Sequence, residues 1–289
     1  MKMETVGPNM MEGTPFKRGK VKDIYDLGNG RILFLFTDRV SAYDIVLPTT
    51  IPRKGEILCK LASYWFEHLN VPNHMIEMTG PNRMMVRQLK MIPVECVVRG
   101  YLYGSLYDRA LKGDHQISHN GQLIMASKLP EPIFDPTTKS DVKDEPITMD
   151  QILDEGWLSQ EQLEELKKKS LHVYLKISER ADKAGFILAD LKLEFGFNKE
   201  EEIILADSIG PDEFRLWPKD QYKPGRSQES YDKQPVRDWL SKVGYKKTLD
   251  KARSEGLPVP HPPTLPPDLV QETSRRYIEA YERLTGKKL

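Results

Sequence analysis

The run Leu188-Ala189-Asp190-Leu191-Lys192-Leu193-Glu194-Phe195-Gly196 alternates apolar and charged residues. Side chains along a β-strand alternate faces, so Asp190, Lys192 and Glu194 fall on one face at roughly 7 Å intervals. Ile187, Ala189, Leu191, Leu193 and Phe195 fall on the other, toward a core. A solvated ladder of ion pairs on an exposed sheet would show the same alternation. A second apolar run, Ile203-Ile204-Leu205-Ala206, follows a polar turn at 198–202 and ends at Asp207. Pairing Gly196 near Ile203 sets Asp207 beside Lys192, with three carboxylates around one lysine. Mg²⁺ takes carboxylate and phosphate oxygens, and a lysine is a point charge for the same phosphates, so this pattern predicts magnesium-dependent phosphate chemistry.

Two further groups point to anions. In Lys17-Arg18-Gly19-Lys20-Val21-Lys22, alternation puts Lys20 and Lys22 on one face of a hairpin that could close over a triphosphate; a solvated basic surface is the competing reading. In Pro93-Val94-Glu95-Cys96-Val97-Val98-Arg99-Gly100-Tyr101-Leu102-Tyr103-Gly104-Ser105, an apolar strand ends at an arginine and a Gly-Ser opens a helix. Free amides at a helix start plus an arginine suit a phosphate or carboxylate, and an ordinary strand end and cap would read alike. Neither Gly-x-Gly-x-x-Gly nor Gly-x4-Gly-Lys-Ser/Thr occurs, which removes the main support for dinucleotide dehydrogenases and P-loop ATPases. His115 and His119 have a spacing that zinc ligands use on a helix, but they lie in a Gly- and Asn-containing loop and read as exposed loop histidines.

The elements that must position these groups are legible. Residues 21–26 and 32–37 flank Gly28-Asn29-Gly30 and predict an antiparallel hairpin. Ile57, Leu58, Leu61, Trp65 and Leu69 recur at helical spacing after Gly55, and Pro72 stops that helix. Strands follow at 83–89 and 94–99, then a short helix at 105–111 that Gly113 can end. Thr148-x-x-Gln151 and Ser159-x-x-Gln162 are two capping boxes. The second opens a long helix with Leu163, Leu166, Val173, Tyr174, Ile177, Ala181 and Ala184 on one stripe and Gly185 at its stop. A helix starts near Pro235 with Asp232 as cap. Residues 258–267 are too rich in proline for helix; they read as a strap into a final helix carrying Tyr277, Tyr281 and Leu284, with a polyproline ligand as the alternative.

The 289 residues, 39% hydrophobic, suffice for a substantial core. Forty-three Lys and Arg balance 43 Asp and Glu, so no global field steers the chain to nucleic acid or an anionic membrane, and any anion site is local. No apolar run approaches the roughly 20 residues of a membrane span, and residues 1–13 lack the order of a signal peptide. A cytoplasmic protein is expected. Cys59 and Cys96 read as reduced core residues. A homo-oligomer is compatible with the sequence, which fixes no oligomeric state.

The segments 91–105 and 188–196 resemble signatures of the SAICAR synthetase (phosphoribosylaminoimidazole-succinocarboxamide synthase) family. Gly19-Lys20-Val21-Lys22-Asp23-Ile24-Tyr25, Thr37-Asp38-Arg39-Val40-Ser41-Ala42-Tyr43-Asp44 and Asp232-Lys233-Gln234-Pro235-Val236-Arg237-Asp238-Trp239 resemble further blocks, so the likeness covers nearly the whole chain. Tyr103 departs from the family, which usually has a small residue there. The resemblance implies an ATP-dependent ligase of purine biosynthesis: an acyl phosphate forms on the carboxylate of a carboxyaminoimidazole ribonucleotide (CAIR), and L-aspartate displaces phosphate to give SAICAR and ADP. It implies an α+β fold in two lobes, mainly antiparallel, with an ATP-grasp-like or kinase-like cleft, divided here as 1–90 and 91–289. By motif, Glu194 and Asp207 would hold Mg²⁺. Lys20 and Lys22 would lie over the ATP phosphates, with Gln88, Lys90 and Met91 on the adenine side. Arg99, Ser105 and Arg237 would grip the ribonucleotide phosphate, with Asp190 and Lys192 at the reacting carboxylate. Lys139 and Glu145 resemble further catalytic residues, and Ser41 and Asp44 would contact L-aspartate. Two other functions compete: a kinase that stops at phosphate transfer, disfavoured for proteins by the missing His-Arg-Asp and Asp-Phe-Gly motifs, and a non-catalytic nucleotide-binding module. The retained carboxylates and Lys192 weigh against the latter.

Overall fold

A computed structural model describes residues 16–113, 122–139 and 144–289; His115 and His119 lie outside them. The N-terminal half holds β1 (Lys17–Arg18), β2 (Lys22–Gly28), β3 (Arg31–Phe36), β4 (Arg39–Ala42), β5 (Ile45–Thr50), α1 (Lys54–His68), β6 (Met75–Gly80), β7 (Arg83–Arg87), β8 (Lys90–Met91), β9 (Val94–Tyr101), α2 (Ser105–Lys112), β10 (Lys128–Phe134) and β11 (Thr137–Thr138). Then come α3 (Met149–Asp154), α4 (Gln160–Lys183), β12 (Phe186–Phe197), β13 (Ile203–Ala206), β14 (Phe214–Pro218), α5 (Gln234–Lys242), α6 (Tyr245–Ser254) and α7 (Pro267–Thr285).

Two antiparallel sheets carry the molecule. One has the order β1-β2-β3-β7-β6; the other runs β10-β9-β12-β13, with β8 and β14 on β12 and β11 on β9, while β4 and β5 form a separate hairpin. Gly28, Asn29 and Gly30 turn β2 into β3 with φ of 71°, 55° and 72°, a left-handed path that glycine and asparagine tolerate. Both capping boxes form: the Thr148 and Ser159 hydroxyls accept from the Gln151 and Gln162 amides, and each glutamine side chain bonds back. Asp232 accepts from the Gln234 amide at the start of α5. The β4–β5 hairpin and α6 had no clear period in the sequence; they form because Val40, Leu47, Val236, Leu240 and Leu249 bury one another.

A single apolar cluster links the sheets: Phe34, Met84, Ile57 and Trp65 on one side, Leu191, Phe195, Ile177 and Tyr277 on the other. Ile57, Leu61 and Trp65 on α1 are almost wholly buried, each worth about 1.5–3 kcal/mol relative to exposure.

Strand β12 departs from simple alternation. Its pairing with β14 shifts between Leu188 and Asp190, a bulge that reverses the facing of what precedes it. Leu188 therefore joins Leu191, Leu193 and Phe195 in the main cluster, while Ile187 and Ala189, expected there, pack with Tyr103 and Trp217. The register with β13 is also one residue off the expected one: Gly196 pairs with Ile204 and Glu194 with Ala206. The chain then leaves the strand at Asp207 with φ of 59°.

Candidate active site

The carboxylates on the charged face of β12 are inside the protein, while Lys192 between them is half-buried. Asp190 and Glu194 are only 7% and 9% exposed, which removes the solvated ladder. The expected grouping of three carboxylates around Lys192 does not form either, because each takes its own cation from another element. Asp190 pairs with Arg215 of β14, and Glu194 with Lys139 just beyond β11. Asp207, carried away by its left-handed backbone, pairs with Lys22 of β2. Lys192 bonds Glu95 of β9 at 2.6 Å. Buried charges require such pairing, since an isolated one in a low-dielectric interior is prohibitively costly.

These pairs set the ionisation of the site. Burial works against the Lys192 ammonium, yet Glu95, Glu194 and Glu213 raise its pKa above the ordinary range. Burial likewise works to raise the Glu194 carboxyl, but Lys139 and Lys192 hold it below its usual value. Burial lowers Lys22 to about 8, against the pull of Glu213 and Glu194. Lys22 also lies 3.2 Å from the Ser208 hydroxyl and 4.8 Å from the Phe34 ring centroid. Cys59 and Cys96 are buried free thiols whose pKa values burial raises, to about 12 for Cys59, so they are packing residues.

At the far end of β12 the arginines gather. Arg99 is fixed by Asp135 at 2.5 Å and reaches the Ser105 hydroxyl at 3.0 Å, while Arg109 holds the other Asp135 oxygen at 2.6 Å. The Arg215 guanidinium lies 5.6 Å from the Tyr103 ring centroid, which gives the unusual Tyr103 a role in placing it. Gly104, φ 59°, leaves the room: a Cβ there would sit 3.0 Å from Arg215 Nη2. Arg109 Nη1 and Arg215 Nε are buried without a partner among the described residues, donors that suit an incoming anion. Arg237 of α5 belongs to the same field, since Asp232 feels both Arg237 and Arg215.

The remaining expected residues divide. Lys20 pairs at 2.5 Å with Asp44, which stands at the tip of the β4–β5 hairpin. Ser41 is buried in that hairpin, and Tyr43 at its tip bonds the Arg237 carbonyl at 3.1 Å. Gln88 lines a cavity of about 560 Å³ together with Leu89, Arg31, Arg87, Asn198 and Glu202. Lys90 and Met91 do not line it; they are exposed and pair with Phe197 and Gly196. Glu145 is exposed, its backbone tied to Thr138 beside Lys139.

Sequence reasoning missed Glu95, Asp135, Arg109, Arg215 and Glu213. Glu95 had a signal, since it shares strand parity with Arg99 in a quoted motif. Arg215 and Glu213 lay in a short unremarked strand and turn whose register with β12 no local pattern reveals.

Glu194 and Asp207 fit a magnesium ion as a partial shell. They are two hard carboxylates on adjoining strand ends, now neutralised by lysines, and Mg²⁺ commonly takes one or two carboxylates with phosphate and water completing its six positions. Among the described residues no group of three or more His, Cys, Asp or Glu is arranged to hold a metal, so substrate oxygens would have to complete the shell.

Residues 15–252 match the family model of SAICAR synthetase. The chain belongs to the SAICAR synthetase family. A phosphoribosylaminoimidazole-succinocarboxamide synthase from Nitrosopumilus maritimus is 51% identical over 271 residues, covering 94% of this chain and 98% of the relative. One from Corynebacterium urealyticum is 39% identical over 295 residues, covering 97% and 96%. Among solved structures, the SAICAR synthase of Saccharomyces cerevisiae complexed with SAICAR superposes with a TM-score of 0.82 at 34% identity, over 96% of this chain and 97% of that one. A SAICAR synthetase in complex with ADP gives 0.72 at 28% identity, over 94% and 98%. The two-lobed, ATP-grasp-like α+β fold of SAICAR synthetases is thus the fold of this chain. No helix among the described residues is long and apolar enough to cross a membrane.

Proposed function

We propose that the charged face of β12 and the groups around it carry out the ligation of SAICAR synthetases, with the following division of labour. As a member of that family, the chain joins L-aspartate to the carboxylate of CAIR at the expense of ATP. A carboxylate is a poor electrophile, so ATP first transfers its terminal phosphoryl group to a carboxylate oxygen, releasing ADP. The aspartate amine then attacks the acyl carbon, the C–N bond forms, and phosphate leaves. Positioning and charge stabilisation supply most of the catalysis.

Lys20 and Lys22 face the ATP phosphates from the N-terminal sheet, and the segment of Gln88, Lys90 and Met91 borders the adenine. Arg99, Ser105 and Arg237, joined by Arg215, receive the ribonucleotide phosphate; two buried donors without partners support this assignment. Asp190 and Lys192 adjoin the reacting carboxylate, with Lys139 and Glu145 on the neighbouring loop. Ser41 and Asp44 contact L-aspartate. Glu194 and Asp207 would hold Mg²⁺, which when bound supplies positive charge to the phosphates. Lys22 and Lys139 then exchange their carboxylate partners for substrate oxygens. Soluble substrates and two unpaired cysteines fit a cytoplasmic setting.

The observation that carries this reading is the placement of buried Asp190 and Glu194 with half-buried Lys192 on one strand face, each held by an opposite charge from a different element. The test is ADP release in the presence of ATP, Mg²⁺ and CAIR, with and without L-aspartate. Release with matching SAICAR formation should require L-aspartate; turnover indifferent to L-aspartate would overturn the ligase reading in favour of a kinase.

A further inference from the structure

Glu213 belongs to none of the roles assigned so far, yet its position is singular. The register of β14 against β12 sets Arg215 opposite Asp190 and Phe214 opposite Leu191. Continued by one residue, it sets Glu213 opposite Lys192, and the Lys192 amide donates to the Glu213 carbonyl at 2.8 Å. Directly opposed residues of an antiparallel pair share a face, as the Arg215–Asp190 ion pair illustrates. Glu213 therefore stands on the charged face of β12, beside Lys192. That lysine nevertheless donates to Glu95, from the other neighbouring strand. Glu213 Oε2 is buried and has no hydrogen-bond partner among the described residues, which is costly for a carboxyl oxygen unless a ligand completes it.

The groups facing Glu213 come from several elements: Asp212 on its own turn, Lys22 of β2, Lys192 of β12 and Lys233 at the start of α5. Tyr277 of α7 feels it as well. Burial, then the Asp212 carboxylate, raise its pKa to about 7 despite the three lysines. A base poised near neutrality is what proton abstraction at physiological pH requires.

We propose that Glu213 receives the ammonium group of L-aspartate and takes its proton as the amine attacks the acyl phosphate. This rests on the ligase reading above. In that step the electron pair of one N–H bond becomes the nucleophile's lone pair as its proton passes to Glu213 Oε2, the C–N bond forms, the C–O bond to phosphate breaks, and the second N–H proton leaves on the departing phosphate. No further reactant is needed, and the proton returns to solvent on product release.

The experiment compares two nucleophiles, L-aspartate and hydroxylamine, in the wild-type enzyme and in Glu213→Gln. Hydroxylamine is already a free base at neutral pH and captures acyl phosphates as hydroxamates, so it has no ammonium proton to lose. Glu213→Gln should lose about 100-fold or more of kcat with L-aspartate while hydroxamate formation stays within about threefold. The acid limb of the wild-type kcat profile with L-aspartate should vanish in the variant, and Glu213→Asp should recover part of the rate. Equal loss with both nucleophiles, which includes a variant that fails to fold, or no loss with either, overturns the proposal. Wild-type enzyme that forms neither SAICAR nor hydroxamate would instead overturn the ligase reading.

Discussion

Glu194 and Glu213 are carboxylates on one strand-pair face, yet their surroundings drive them apart. Lys139 and Lys192 hold Glu194 ionised, whereas burial and Asp212 keep Glu213 near neutrality. Glu194→Gln removes one proposed charged ligand of Mg²⁺ and should lower kcat by about 100-fold or more in a titration of Mg²⁺ at saturating ATP, with the fold retained by circular dichroism. Near-normal rate at limiting Mg²⁺ would take Glu194 out of the metal shell. Glu213 makes a separate prediction about stability. Its folded pKa lies above the ordinary 4.5, so between pH 4.5 and about 7 the folded state binds more protons than the unfolded one. Its contribution is then fully present below 4.5 and is lost as pH rises to about 7, with a slope approaching about 1.4 kcal/mol per pH unit. Denaturant unfolding across pH 4.5–8 should show Glu213→Gln more stable than wild type at the alkaline end, the two converging at the acid end.

At the level of elements, the bulge in β12 and the left-handed turn at Asp207 decide which side chains meet. Without the bulge, one continuous parity would send Ile187 and Ala189 into the main core; with it, they close the aromatic wall of Tyr103 and Trp217. The β9–α2 junction is as exacting. Gly104 combines φ 59° with ψ −138°, a conformation nearly restricted to glycine, and its missing Cβ admits the Arg215 guanidinium. Gly104→Ala should therefore displace Arg215 and raise KM for the ribonucleotide at least about tenfold, a loss of about 1.4 kcal/mol, while KM for ATP changes little. Steady-state kinetics with each substrate varied in turn would show the split; equal effects on both would mean a general disturbance.

Across the whole molecule, α1, α7 and the turn before β14 are joined by a buried charge cluster. Lys54, the first residue of α1, is fully buried and bonds Asp212 at 2.6 Å, and Tyr277 of α7 donates to the other Asp212 oxygen at 3.0 Å. Lys233 stands 3.9 Å away. The turn that presents Glu213 is thereby tied to α1 and α7. Lys54→Met leaves Asp212 buried with its nearest cation removed, a change that costs about 3–5 kcal/mol in comparable pairs. Urea unfolding should detect a loss of that order, with kcat reduced as the turn loosens; a loss below about 1 kcal/mol would show Lys233 and Tyr277 to be sufficient.

Local chemistry determined much by itself. Gly28-Asn29-Gly30, the two capping boxes, the apolar stripes of α1 and α4, and the alternation around Lys192 act over a few residues, so hairpin, helices and charged strand were all legible, as were Lys22, Arg99, Glu194 and Asp207 as site candidates. Only the tertiary structure decided the partners. Asp190 meets Arg215, Lys192 meets Glu95, Glu194 meets Lys139 and Asp207 meets Lys22 across sequence separations of 25, 97, 55 and 185 residues. Strand register, a bulge and one left-handed residue fix those meetings, and a shift of a single residue exchanges the faces. A buried charge takes whichever opposite charge the fold brings within reach, and that selection is made by packing between distant segments.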